Sequence, residues 1–477
     1  MSNTIPARQW RCLWLVIFLT GCAVGPDYER PEPELPDRWH IDLDYQNATG
    51  LVLGEARWVD VVHDKQLHEY VHEALINNKS MLIALERIEE ARATNRIRRA
   101  PLFPSLDLQL HSERESDSEF TNTVADVEDE FLLGPVVSWE LDLWGKNRRA
   151  NRAAYADYLA TEYAAQATRL SLVADVSRAY FELQGIEARL AINHHTLSAR
   201  EQSLTIAEKR FKGGLTSMLE VTQSQVALAT TRSSLPKVEQ RKLTLENQLA
   251  VLLGGPPRHI VSHTVLENQY RPASVTVGLS SQLLQRRPDI MQAEQELIAR
   301  SESIGVATAG LFPNFELTGE FGYETSEFDD LLDSDGSTWI IELDVLMPLF
   351  NAGARRAKVR VAESQFNQAR LNYELTVLEA LREVSDALNQ FYKSGETLDA
   401  ELYLERASTE YLRLATKRYR NGVLPYIDVL DAQRRLFDAQ ISVSTARQAQ
   451  LFALVDLYKA LGGGWEADRL RLAESAD

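Results

Sequence analysis

The sequence predicts a mainly α-helical protein with a membrane β-barrel portion, in which one arrangement is built twice. Three observations predict this fold class. Residues 146–212 and 354–420 contain no proline and one glycine each, which is typical of single long helices. Short segments in which apolar and acidic residues alternate precede both long helices, as in strands with one apolar face. The turn after each long helix is the same motif, repeated 208 positions later.

The repeated motif predicts two equivalent tips of helical hairpins. It reads KRFKGGLTSMLEVTQSQ at 209–225 and KRYRNGVLPYIDVLDAQ at 417–433. The turns combine small residues with an apolar member, namely Gly213, Gly214, Leu215, Thr216 and Ser217 in the first copy and Asn421, Gly422, Val423, Leu424 and Pro425 in the second. Glycine and proline suit tight turns, so a purely structural role also explains this composition.

Two carboxylates follow the second tip, Asp428 and Asp431, one turn apart on the same face of the return helix. Acidic residues are favoured in the first turn of a helix because its dipole is positive there. Taken alone, the pair therefore has an ordinary interpretation as two solvated acids.

Composition excludes several classes of function. The chain has 477 residues and a net charge of −18, which disfavours nucleic acid as a partner. Its only cysteines are Cys12 and Cys22, so the body has no disulfide framework, zinc-finger pattern or thiol nucleophile. His194 and His195 lie within a long helix without further ligands, and no phosphate-binding loop is present. We therefore predict neither an enzyme nor a cofactor.

The N-terminus predicts export and lipidation. Arg8 and Arg11 precede a short apolar run that ends in small residues, as in a secretory signal peptide over residues 1–21. Leu19-Thr20-Gly21-Cys22 resembles the bacterial lipobox, which implies acylation of Cys22. Ala23 follows instead of the aspartate that favours inner-membrane retention, so the resemblance implies the outer membrane. An ordinary signal with a chance cysteine is the alternative.

The rest of the chain divides by its repeats. The expected segments are a lipid-anchored tether and equatorial segment at 22–63, a first repeat at 64–255, a crossover at 256–280, a second repeat at 281–465 and a C-terminal tail at 466–477. Prolines at 26, 31, 33 and 36 predict an extended tether. One helix is expected from about Asp64 to Arg99, ending before Pro101.

Each repeat then predicts two strands joined by an acidic loop. The strands are expected around 106–110 and 137–143 in the first copy and around 315–323 and 341–345 in the second, with loops at 112–130 and 324–336. Leu-Phe-Pro at 102–104 and again at 311–313 marks equivalent entries to the strands. Return helices are expected at 217–253 and 425–461, each stopped by glycines.

A sheet with one apolar and one acidic face has two interpretations. In a soluble protein the apolar face covers a core, whereas in a transmembrane barrel it meets lipid and the polar face lines the lumen. Four strands cannot close a barrel, and open edges are not tolerated in lipid. Three chains supply twelve strands, which can close. With an export signal, the pattern therefore favours a homotrimer in the outer membrane.

Several motifs together resemble the outer membrane factors, the TolC-like family of export ducts, and within it the OprM- and NodT-type lipoproteins. The motifs are Cys22 to Tyr28, Arg287-Pro288-Asp289-Ile290 with Ala293-Glu294, Leu311-Phe312-Pro313, Tyr419 to Gln433, and Tyr458 to Trp465. The resemblance implies a trimeric tube with a twelve-stranded β-barrel, a twelve-helix periplasmic α-barrel and an equatorial belt. It implies an efflux function with a periplasmic adaptor, an inner-membrane pump and outer-membrane lipid as partners.

The resemblance also assigns roles to residues of the tips. Asp428 and Asp431 match acids that ring the periplasmic aperture, where like charges would raise some of their pKa values. Ile427 matches an apolar residue that narrows the aperture, and Tyr419 matches a tyrosine that ties neighbouring helices. Leu424 stands where TolC has a closing arginine, which is a departure. The tips would meet the adaptor end to end.

A second hypothesis is a periplasmic coiled-coil lipoprotein that tethers or scaffolds the envelope without forming a channel. Leu183, Leu190, Leu197, Leu204 and Phe211 recur every seven residues, as in a coiled coil. Such a protein needs no lipid-facing strands, so the strand patterns count against it. The exported substrate and the identities of pump and adaptor are not encoded in any motif.

Overall fold

The fold was obtained from a computed structural model, which describes residues 23–33, 35, 36, 39, 51–116, 127–272, 275–276 and 282–463. The chain forms two compact units, and each takes residues from both sequence repeats. One contains 1–32, 87–162 and 292–374, and the other 33–86, 163–291 and 375–477.

Helices dominate the described part of the chain. They are α1 (Trp58–Val61), α2 (Lys65–Asn77), α3 (Lys79–Arg99), α4 (Lys146–Lys212), α5 (Met218–Leu252), α6 (Leu283–Arg286), α7 (Pro288–Ala309), α8 (Ala354–Arg420) and α9 (Tyr426–Ala460). The predicted bounds of both 67-residue helices are confirmed. The helices are uninterrupted because neither contains a proline, and each ends in a glycine turn. No described helix is both long and apolar enough to cross a membrane.

The single helix predicted for 64–99 is wrong in one respect, because it is broken at Asn78. This residue is extended (φ −63°, ψ 128°), and its side-chain oxygen accepts hydrogen bonds from the amides of Ser80 and Met81 at 2.9 and 3.2 Å. Asparagine thus caps the start of α3, a local bond that competes with continuation of the helix. The second return helix starts at Tyr426, so Pro425 is its N-cap.

Four antiparallel strands form one sheet in the order β2-β3-β5-β6. They are β2 (Ser105–Ser116), β3 (Val127–Glu140), β5 (Asn314–Thr325) and β6 (Ser337–Leu346); a separate parallel pair joins β1 (Leu51–Val52) to β4 (Val275–Thr276). Each strand is longer than the alternating segment predicted for it, but β3 ends at Glu140, so residues 141–143 of the strand predicted around 137–143 lie outside it. Both ends of the supposed loop 112–130 are strand, because Ser112 pairs with Phe131 and Glu115 with Glu128.

The strand register gathers the acidic residues of these strands on one face of the sheet, except Asp129, which lies on the other face and pairs with Arg114 at 3.3 Å. The acidic face carries Asp107, Glu113, Glu115, Glu128, Glu130, Glu140, Glu316, Glu320, Glu324, Glu342 and Asp344. The opposite face carries Leu106, Leu108, Leu110, Phe131, Leu133, Val137, Trp139, Phe315, Leu317, Phe321, Tyr323, Trp339, Ile341, Leu343 and Val345. Among the described residues, β2 and β6 each pair with one strand only and form the two edges.

The described residues just after Cys22 lie outside helix and strand, and they are fixed to the unit that contains the sheet. The side chain of Arg149 is 1% exposed and donates to the carbonyl oxygens of Gly25 (3.2 Å) and Pro26 (3.0 Å) and to Glu302 (3.0 Å). Gly25 needs to be glycine, because its φ is +105° and an added Cβ would lie 2.6 Å from Gly305. Residues 25 and 26 of the tether are therefore held by one buried side chain.

A buried polar network supports the other unit. Asp64, 3% exposed, accepts hydrogen bonds from the amides of Gln66 and Leu67 at the start of α2. The same carboxylate accepts from Tyr180 in α4 at 3.0 Å and from Gln269 at 2.6 Å. One side chain thus joins two helices to the crossover segment.

The glycines within the two long helices allow a matched test of packing. A Cβ at Gly185 would lie 2.4 Å from Oε1 of Gln448, an oxygen that accepts a hydrogen bond from Arg189 at 3.1 Å. A Cβ at Gly395 would meet nothing nearer than 3.5 Å. Alanine is intrinsically better than glycine in a helix by ~1 kcal/mol. We expect Gly395→Ala to keep or raise the midpoint of thermal unfolding, measured by circular dichroism, and Gly185→Ala to lower it. A midpoint for Gly185→Ala equal to or above that of Gly395→Ala would contradict this packing.

Candidate functional site at the helical tips

The two tips have the same backbone structure, as the repeated motif predicts. In the first tip the amide of Gly214 donates to Phe211 and that of Leu215 to Arg210; in the second the amide of Gly422 donates to Tyr419 and that of Val423 to Arg418. Gly214 and Gly422 have φ values of +69° and +72°, which strongly favour glycine.

The tips expose apolar side chains. Leu215 and Val423 are 70% and 62% exposed, and Met218 and Leu219, just after the first tip, are 54% and 65% exposed. Leu424 and Thr216 are half-buried, whereas Ser217 and Pro425 are exposed. Such side chains at the end of a hairpin are available for contact with a partner.

Tyr419 joins the two hairpins. Its hydroxyl donates to Oε2 of Glu220 at the start of α5, at 3.0 Å, and its ring packs on Tyr426 with centroids 5.2 Å apart. The guanidinium of Arg210 lies over the same ring at 5.0 Å. Burial, followed by the bond to Glu220, raises the pKa of Tyr419 to about 12. The hydroxyl therefore stays protonated and remains a donor at physiological pH.

The two aspartates that follow the tip differ in their surroundings. Asp431 forms ion pairs with Arg435 at 2.7 Å and with Arg434 at 3.1 Å. The hydrogen bond from Arg435, followed by that from Arg434, lowers the pKa of Asp431. Asp428 is half-buried and has no ion pair with any residue in the described part of the chain. Within one chain, arginines therefore offset the charge of Asp431 but not that of Asp428.

Ile427 lies in an apolar groove between α5 and α9 and is 51% exposed. Val226, Leu430 and Phe437 also line this groove, which has a volume of about 560 Å³. A second link between the hairpins lies farther from the tip, where Gln433 donates to Ser203 at 3.3 Å. The hairpins are thus held together through side chains on either side of the groove.

The structure brings together only some of the residues singled out in the sequence. Tyr419 is at a contact between hairpins and Ile427 lies in a groove. Asp431 pairs with two arginines, whereas Asp428 has no ion pair with any described residue. Sequence reasoning missed Glu220 as the partner of Tyr419, although the repeat aligned it with Asp428. It also missed Arg434 and Arg435, which follow Asp431 at the spacing of helical ion pairs.

Cys22 and the signal segment before it lie outside the described residues, as does Trp465 of the last motif. Among the residues that the structure describes, no group of three or more histidine, cysteine, aspartate or glutamate side chains is arranged to hold a metal ion.

Comparison with known proteins identifies the family. The sequence model described as "Outer membrane efflux protein" matches residues 70–255 and 279–463. The chain is 34% identical over 455 residues to the probable efflux pump outer membrane protein TtgC of Pseudomonas putida, covering 94% of each chain. It is 32% identical over 464 residues to the cation efflux system protein CusC of Escherichia coli O157:H7, covering 95% of this chain and 98% of the relative.

A solved structure supports the same assignment. The open state of the Neisseria gonorrhoeae MtrE outer membrane channel superposes with a TM-score of 0.85 at 28% identity, over 93% of this chain and 98% of that one. The family match covers both halves of the duplication and most of the described helices and strands. The chain belongs to the outer membrane efflux protein family, and its fold is that of the TolC-like channels.

Proposed function

We propose that this protein is a trimeric outer membrane channel, the passive exit duct of a three-part efflux system. One observation carries the proposal: a four-stranded sheet with an acidic face, an apolar face and two edges that pair with no other described strand. Unpaired strand edges and an exposed apolar face are both costly in water, and open edges are costly in lipid. Three copies pairing edge to edge satisfy the backbone and turn the apolar face to lipid.

The chain supplies a path and the partners supply the drive. Carboxylates on the inner face of such a barrel favour cations and keep the lumen wet. An inner-membrane pump, of the resistance-nodulation-division type, would load cargo through a periplasmic adaptor that contacts the exposed tips. Acylation of Cys22 would anchor the chain to the outer membrane. TtgC and CusC are named for different systems, so family membership leaves the cargo open.

The tips form the gate in this proposal. The bond between Tyr419 and Glu220 holds the hairpins together in the closed state, and Ile427 adds apolar contact at the aperture. Asp428 provides the uncompensated negative charge at each copy, whereas Asp431 shares its charge with two arginines. Leu424 offers no charge at the position of the closing arginine, so closure rests on Tyr419 and on apolar contact.

The test is single-channel conductance in a planar bilayer, comparing wild type with Asp428→Asn and Asp431→Asn. We expect Asp428→Asn to lower cation selectivity, because it removes a charge that no arginine offsets. Asp431→Asn leaves Arg434 and Arg435 without this partner, so it should also lower cation selectivity, and this effect should weaken as the salt concentration rises. If cation selectivity is unchanged in both variants, the constriction does not lie at these acids.

The double variant Asp428→Ala/Asp431→Ala separates the gate from the pore. A conductance that rises in this variant supports an acidic constriction, whereas an unchanged conductance keeps the pore and points to Ile427. Absence of any conductance from folded wild-type protein would reject the channel and leave the periplasmic tether.

A further inference from the structure

An aromatic contact joins the segment that follows β3 to the segment that precedes β5, the two central strands of the sheet. Trp144, four residues after β3, stacks on Phe312, two residues before β5; the ring centroids are 4.8 Å apart and the rings are inclined by 27°. The indole nitrogen of Trp144 also donates to the carbonyl of Pro313 at 2.8 Å. The segment that leaves the β2-β3 pair thus packs on the segment that enters the β5-β6 pair.

The sequence repeat places the same parts at the two edges of the sheet. Phe103 precedes β2 by two residues, as Phe312 precedes β5, and each lies in a Leu-Phe-Pro segment. Phe350 follows β6 by four residues, as Trp144 follows β3. Each of the long helices that follow begins directly after a glycine with positive φ, Gly145 at +76° and Gly353 at +84°.

At the edges these aromatic side chains are uncovered. Phe103 is 59% exposed and Phe350 90%, with Leu349 beside it at 87%, whereas Phe312 is 37% exposed. Phe103 and Phe350 belong to opposite edges of the sheet, with β3 and β5 between their strands. Neighbouring strands are ~4.8 Å apart, so three intervals separate the two edges and prevent this contact within a flat sheet of one chain.

We propose that Phe350 of one copy packs on Phe103 of a neighbouring copy, as Trp144 packs on Phe312 within the chain. In this arrangement β6 pairs with β2 of the neighbour, and the apolar faces of the two strands lie on the same side of the joined sheet. Trp339, Ile341 and Leu343 of β6 and Leu106, Leu108 and Leu110 of β2 lie on the apolar face and are between 56% and 76% exposed. The inference rests on the proposed trimer, and it specifies which side chains join its copies.

Thiol cross-linking of the purified, membrane-assembled protein tests the contact. The only native cysteines are Cys12 and Cys22, so none lies in the sheet or the helices. We expect Phe103→Cys/Phe350→Cys, treated with a short bismaleimide, to give covalent dimers and trimers on a denaturing gel. In the matched control Trp144→Cys/Phe312→Cys, both thiols should react with the bismaleimide within one chain, so the band should stay at the mass of one chain. Either cysteine alone should give no higher band.

The outcomes separate this contact from the trimer itself. Mass measurement in detergent reports the oligomer independently. A trimer whose Phe103→Cys/Phe350→Cys variant links within one chain, or does not link, overturns the contact and leaves the proposed function. A monomeric wild type would reject the proposed function.

Substitution of Phe350 gives a second measurement. Phe350→Ala should speed dissociation of the trimer in detergent about tenfold, the change that ~1.4 kcal/mol of lost contact produces. Phe350→Trp, which keeps an aromatic ring, should dissociate at the wild-type rate. Equal rates for the alanine and wild-type trimers would overturn the proposal, whichever way the cross-linking came out.

Discussion

Tyr419→Phe is expected to raise the open fraction of the channel at least tenfold while leaving the fold intact. The change removes only the hydroxyl that donates to Glu220 at 3.0 Å and keeps the ring on Tyr426 and beneath Arg210. A hydrogen bond to a charged acceptor contributes ~1.5–3 kcal/mol, and ~1.4 kcal/mol is already tenfold in an equilibrium. In the proposed trimer, three copies lose the bond together. Single-channel recording gives the open fraction directly.

The chain offers a close control in Tyr426→Phe. Tyr426 is 4% exposed, packs on the same ring, and its hydroxyl has no hydrogen-bond partner among the described residues. Its removal should leave the open fraction at the wild-type value. Glu220→Gln should give an intermediate effect, because an amide oxygen still accepts the bond but carries no charge. If Tyr419→Phe and Tyr426→Phe behave alike, the bond does not hold the gate.

Asp64→Ala should destabilise the unit that contains α2 and α4 by ~3–7 kcal/mol at pH 7. The substitution removes the N-cap of α2 and leaves the donors of Tyr180 and Gln269 without an acceptor in a buried site. A lost cap costs ~1 kcal/mol and each buried unsatisfied donor ~1–3 kcal/mol. The midpoint of thermal unfolding, followed by circular dichroism, measures the loss. A midpoint within 1–2 °C of wild type, on the order of experimental error, would contradict it.

The pH dependence of this network has a defined sign. Burial by itself would raise the pKa of Asp64, but hydrogen bonds from Gln269, from the amide of Leu67 and from Tyr180 outweigh it, so the pKa lies below 3.8. A depressed carboxylate pKa adds stability that is complete above the unfolded pKa and is lost as the pH falls through the folded one. The advantage of wild type over Asp64→Asn should therefore hold at pH 7 and pH 5 and shrink below about pH 4. An advantage that does not change down to pH 2 would show that ionisation of Asp64 is not its source.

Hydrophobic periodicity and the positions of proline and glycine predicted the long helices, because those signals are local. Residues 146–212 and 354–420 lack proline and end in glycine turns, and their bounds were predicted to the residue. The break at Asn78 was missed because asparagine is tolerated in helices and acts here through its side chain. The outer ends of the strands were missed because Glu113 and Glu115 alternate with polar residues, which gives no apolar phase.

The candidate site was harder to predict because its contacts join distant parts of the chain. Tyr419 and Glu220 are 199 residues apart, and nothing local to either indicates the other. The arginine partners of Asp431 are an opposite case. They lie three and four residues ahead on the same helix, so their spacing alone could have predicted that this acid is partly neutralised.

The acidic face of the sheet makes ions in solution a participant in assembly. Glu140, Glu316 and Asp344 lie directly opposite one another on three adjacent strands, where like charges repel. In the proposed trimer, three such sheets close into one ring and concentrate these charges around a narrow space, so the ring would take up counter-ions as it forms. Assembly is then a binding reaction for cations as well as for chains, and the salt of the medium shifts its equilibrium.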